Sequence, residues 1–171
     1  MTKYEELCEL ATANRENWLN AQNICRQGMI KLVQGFGTYC MVPANKAEYF
    51  EWNEETGDYD GSAIKNVPIA AMKFDDDGYA HLGVAIKLTN SPGRSGNWVT
   101  FALVVSQEDG KLTAKLSEKG KPYPIDFNNV SVCNEFYEVI VQEIKQSLAS
   151  PRSRSAIGFK FAEPELTTVA S

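Results

Sequence analysis

The sequence predicts an α+β domain, an antiparallel β-meander of about four to six strands flanked by a long N-terminal helix and a C-terminal helix. Three observations carry this. A heptad-spaced apolar stripe runs from Tyr4 to Phe36, strand-like runs separated by turn residues fill the middle, and a second stripe occupies residues 132–148. Two helix stripes and a half-apolar sheet can bury one another, with both helices on one face of the sheet.

Thr2 and Glu5 have capping-box spacing, so the first helix is predicted to start at Lys3. Tyr4, Ala11, Trp18, Cys25 and Leu32 then recur every seven residues, joined by Leu7, Cys8, Ala21, Val33 and Phe36. Glu6, Glu9, Asn14, Arg15, Gln22, Gln27 and Lys31 form the wet face. Gly28 marks a weak point, and Gly35 and Gly37 are expected to end the helix. A helix of about thirty residues is far longer than the mean of ~11–12, so it either crosses the whole sheet or also meets a second copy.

Tyr49–Trp52 reads as the first strand, and residues 54–61 are turn chemistry. Val67–Phe74 reads as a strand with Pro68 near its start. Asp75-Asp76-Asp77-Gly78 closes a hairpin to Tyr79–Leu88. A Pro/Gly loop over 89–96 leads to the most apolar strand, Trp98–Val105, and Asp109-Gly110 turns it into Leu112–Leu116. Tyr123–Phe127, with Pro122 and Pro124, suits a short edge strand. Asn129 or Ser131 caps a second helix with Val132, Phe136, Val139, Ile140 and Ile144 inward and Tyr137, Val141 and Leu148 widening the stripe. Residues 1–150 form one domain. Residues 151–171 form a basic tail, in which Ile157, Phe159 and Phe161 alternate as an added strand would.

The 171 residues are enough for one self-sufficient core. An acidic, polar N-terminus and no long apolar run point to the cytoplasm and away from a membrane. Cys8, Cys25, Cys40 and Cys133 show no C-x-x-C pairing and read as free thiols. The net charge of -5 makes nucleic acid an unlikely partner. Residues 48–77 carry nine acids against Lys65 and Lys73, whereas 144–162 carry four bases and no acid.

No stretch holds the spacing that a known chemistry demands. His81, the only histidine, has no ligand or base partner at motif spacing and reads as a partly buried strand residue. Asp58-x-Asp60-Gly61 lacks the further oxygens of a calcium loop. Phosphate-cradling glycine motifs are absent, so neither metal nor cofactor is expected. What remains are contact residues: Tyr49 and Trp52 in an aromatic cluster beside acids, Asp58 and Asp60 in the acidic loop, Arg94 at a loop tip, and Arg152 and Arg154 in the tail.

These readings favour a non-catalytic protein-interaction module (adaptor, chaperone-like or immunity-type) of a bacterial or phage cytoplasm, binding a protein partner and forming a homodimer. The alternative is a small-molecule-binding or hydrolytic α+β domain with a pocket between sheet and helices lined by Trp98, Phe101, His81 and Tyr79. A third reading is nucleic-acid mimicry by the acidic middle. No motif identifies a family, and layout alone does not give function.

Overall fold

The computed structural model describes residues 1–52, 64–89, 97–149 and 157–160, with residues 158–160 as backbone only. Helix α1 runs without interruption from Lys3 to Tyr39. Thr2 and Glu5 form the reciprocal capping box, with the Glu5 amide donating to Thr2 Oγ1 and the Thr2 amide donating to Glu5.

The C-terminal end differs from expectation. Gly35 and Gly37 lie inside the helix, and the stop is a Schellman turn around Met41, held at φ 52. The Val42 amide donates to the Gly37 carbonyl and the Met41 amide to that of Thr38. Gly35 serves packing: a Cβ there would overlap the Tyr137 hydroxyl.

After Ala47–Phe50 (β1), Val67–Phe74 proves not to be one strand. Pro68–Ala71 is a single helical turn (α2), followed by a two-residue strand, Lys73–Phe74 (β2). Proline lacks the amide a ladder requires but fits the first helical position, where that amide would bond nothing. Ala80–Leu88 (β3), Asn97–Glu108 (β4), Lys111–Leu116 (β5) and Tyr123–Ile125 (β6) follow, then Val130–Ala149 (α3) and Ile157–Lys160 (β7). The turn from β4 to β5 has Asp109 and Gly110 both at positive φ, the two-residue geometry that matches strand twist.

The strands form one antiparallel sheet in the order β1-β3-β4-β5-β6. Both flanks are composite. β1 pairs with Gly83–Ile86 of β3 while β2 pairs with Ala80 and His81. β5 covers Leu103–Glu108 of β4, and β7 covers Trp98–Phe101 beside it. Ile157 of the tail thus enters the core.

On the helix side, Leu82, Val84, Val99, Phe101, Leu103 and Val105 meet Cys25, Met29, Leu32 and Phe36 of α1 and Phe136, Tyr137 and Ile140 of α3. Phe36 stands edge-on to Phe101 at 5.7 Å, and Tyr123 packs on Phe136 at 5.4 Å. The inward stripe of α3 is rotated from the predicted one. Cys133, Tyr137 and Ser147 are buried and Leu148 is exposed, because the helix also turns toward α1.

The other side of the sheet is buried too, at Phe50, His81, Ala85, Thr100, Ala102, Val104 and Ser106. The middle strands are therefore covered on both faces. Trp18, expected in the core, is 37% exposed because it stands where α1 leaves the sheet. Its indole N–H donates to the Asp76 carbonyl at 2.9 Å.

Burial pushes the Cys25 thiol up to about 11, helped by the nearby Asp75 charge, and the Tyr137 hydroxyl up to about 12. Unfolded, these groups ionise near 9.0 and 10.0. The folded state holds its protons longer, so this stability is complete below pH 9 and is lost as pH rises toward 11 and 12. The urea midpoint of the wild type is expected to fall between pH 9 and 11. Cys25→Ala, compared with its own value at pH 8, should fall less; an equal fall would remove Cys25 from the account.

Candidate functional site

Three places on the molecule have the makings of a site. The first is His81, 5% exposed on the face of β3 away from the helices. Its Nε2 lies 2.9 Å from Asp75 Oδ2, and its Nδ1 lies 3.6 Å from Glu118 Oε1. The β2–β3 hairpin brings Asp75 there by pairing Lys73 with His81. Glu118 arrives from the turn after β5, where the Ser117 amide donates to the Ala102 carbonyl.

Asp75 is occupied elsewhere as well: its Oδ1 accepts from the amides of Asp77 and Tyr79 and so fixes the hairpin turn. A general base needs a ring nitrogen facing substrate. Here Nε2 faces Asp75 and Nδ1 faces Glu118. Burial, helped by the Asp75 charge, pushes the Cys25 thiol up to about 11 and so holds it protonated at neutral pH. The cluster locks a hairpin onto the sheet. Among the described residues, no group of three or more His, Cys, Asp or Glu could hold a metal ion.

The second place is a groove of about 580 Å³ between the last turns of α1, β1 and the approach to α2. Tyr49 lines it with Val33, Gln34, Thr38, Asn66 and Pro68, and burial raises the Tyr49 hydroxyl above its ordinary value. A smaller groove of about 290 Å³ lies between the turn after β5 and α3, lined by Lys119, Lys121, Tyr123 and Glu143.

Trp52 does not join Tyr49. It is half-buried and packs its ring on Phe50 at 6.2 Å, on the opposite face of the sheet, because neighbouring strand residues alternate. Asp58, Asp60, Arg94, Arg152 and Arg154 lie outside the described residues.

The third place is the first half of α1. Every residue from Met1 to Asn20 is exposed, and the first buried side chain is Cys25. At 100° per residue, Tyr4, Leu7, Ala11 and Trp18 fall on the same face as Cys25, Met29, Leu32 and Phe36. One half of the stripe is buried against the sheet; the other continues past the body uncovered. Tyr4 is 75% exposed, Leu7 64% and Leu10 60%. Residues 3–17 extend about 22 Å at ~1.5 Å per residue. Glu5, Glu6, Glu9 and Glu16 point away from this stripe. A hollow of about 340 Å³ lies on the flank, between Cys8, Thr12, Ala13 and Glu16.

Sequence reasoning saw the stripe but not which half is bare, and it missed Asp75 and Glu118 as partners of His81. The Asp75 contact was within reach, since a tight turn over Asp75–Gly78 sets His81 beside it. Nothing local signals Glu118. No protein-family model, curated protein or solved structure matches the chain. No helix among the described residues is long and apolar enough to cross a membrane.

Proposed function

We propose that this protein is a non-catalytic interaction module of the bacterial or phage cytoplasm, in the manner of an adaptor, chaperone or immunity protein, and that residues 3–17 of α1 are its contact element. The observation that carries this is the apolar stripe of Tyr4 and Leu7, flanked by Leu10, standing in solvent on a helix that the body holds only from its middle onward. Contiguous exposed apolar surface of this kind marks interaction sites. This half of α1 makes no core contact of its own, so a partner would add to its stability. The helix-in-groove mode, with anchors at i, i+3 and i+7, suits Tyr4, Leu7 and Ala11.

A second reading, small-molecule binding, draws on the Tyr49 groove. Its volume is within the usual ~300–1,000 Å³ range for ligands, and Gln34, Thr38, Tyr49 and Asn66 offer polar atoms to orient one. Among the described residues, none of those lining it is charged.

A photo-reactive residue placed at Leu7 in the cells that make the protein tests the first reading, with Glu9 on the opposite face as the control. A protein adduct from position 7 and none from position 9 is expected. Absence of an adduct at position 7 would withdraw the contact element and leave the groove as the better account.

A further inference from the structure

We infer that the occupant of the bare stripe is a second copy of this chain, its α1 lying antiparallel along residues 3–17 of the first. This rests on the interaction reading and names its partner. The segment is bulky in its first half (Tyr4, Leu7, Leu10) and small in its second (Ala11, Ala13, Asn14). Reversing one copy against the other sets large against small, with Leu7 on the partner's Ala11 and Tyr4 on the partner's Asn14. The two-fold axis then passes beside residue 9. In this heptad register Leu10 meets its own counterpart on one flank of the seam, and Cys8 meets its counterpart on the other.

Charge supports the same arrangement. The acids of the segment lie at its back, so the seam itself brings no carboxylates together. Trp18 marks where the body begins, and it is tied to the hairpin tip that carries Asp75, Asp76 and Asp77. An antiparallel partner ends its helix at that tip. It delivers Lys3 and the positive end of its helix dipole beside those aspartates, while Glu5 and Glu6 of the same turn lie toward its far side. A parallel pair would set like ends together and leave both tips unmatched.

Area sets the strength. At roughly 150–250 Å² per large side chain, Tyr4, Leu7 and Leu10 leave on the order of 400 Å² of apolar surface bare on each helix. With Ala11, Cys8 and the stems of Lys3 and Arg15, two copies bring together roughly 1,000 Å², the lower bound for a specific interface. The pair should therefore form in the micromolar range and exchange. Closed two-fold pairs are the commonest assembly, and this one leaves no stripe uncovered.

The test is sedimentation of the full chain from 1 to 100 µM, with mild oxidation of the same samples. A concentration-dependent dimer is expected. Leu7→Glu should weaken it at least tenfold without lowering the melting temperature, and Lys3→Glu should weaken it several-fold. Oxidation should trap the dimer through a Cys8–Cys8 disulfide, found by mass spectrometry and absent in Cys8→Ser. A monomer at 100 µM would overturn the second copy, as would a dimer that Leu7→Glu leaves intact. If the Leu7 photo-adduct then contains a different protein, the interaction reading stands with another partner. If there is no adduct either, both fail.

Discussion

Phe101→Ala is expected to lower stability by ~3–5 kcal/mol, a large share of the 5–15 kcal/mol that holds a domain together. Phe101 is fully buried in β4, a strand at the middle of the sheet with neighbours along both sides. Its ring meets Phe36 of α1 edge-on, and its backbone pairs with Val84 of β3 and Ile157 of β7. Truncation removes the ring from the junction of sheet and helix, and the strands around it cannot close the cavity without leaving their ladders. Phe136→Ala, fully buried in α3 against Tyr123, should cost a similar amount. Each should lower the melting temperature by about 6–20 °C, at ~2–4 °C per kcal/mol for a chain of this size. A Phe136→Ala variant melting with the wild type would mean that α3 is not packed as described.

Gly83→Ala is expected to destabilise by ~1–3 kcal/mol or more, although glycine-to-alanine in a strand usually gains roughly 0.5–1 kcal/mol. The sign reverses because of Phe50. Gly83 pairs with Phe50 across β1 and β3, and a Cβ on Gly83 would overlap three atoms of the Phe50 ring. Phe50 is almost wholly buried and backed by Trp52, so it has little freedom to move aside. A double-mutant cycle checks the cause: Gly83→Ala should cost much less in a Phe50→Ala background. Equal cost in both backgrounds would place the strain elsewhere. This second sheet face is where the sequence expectation of a one-sided sheet was least complete.

What sequence reasoning reached, and what it missed, divide along one line. The capping box at Thr2 and Glu5, the Asp109-Gly110 turn and the start of α3, at Asn129 of the two residues the sequence offers, were readable because each is decided by residues within a few positions. Heptad spacing likewise identified the helix face of α1. Local signals erred where a distant contact won. Gly35 and Gly37 look like a helix end, yet α1 runs on because Gly35 must admit Tyr137. Val67–Phe74 has strand composition, yet Pro68 starts a helical turn that tucks Ala71 into the core.

The candidate site divides in the same way. Periodicity shows that Tyr4, Leu7, Ala11, Trp18, Cys25 and Leu32 share a face, because that depends only on 3.6 residues per turn. It cannot show that the sheet ends at Trp18, since that depends on where β2, β3 and β4 stop along the helix. His81 follows the same rule: its place on the strand was legible, and its two carboxylates came from separate turns. The sequence by itself determined most of the elements, their order and the apolar face of α1. Only the tertiary structure decided which part of that apolar surface is buried and which stays exposed, because burial depends on segments far apart in the chain.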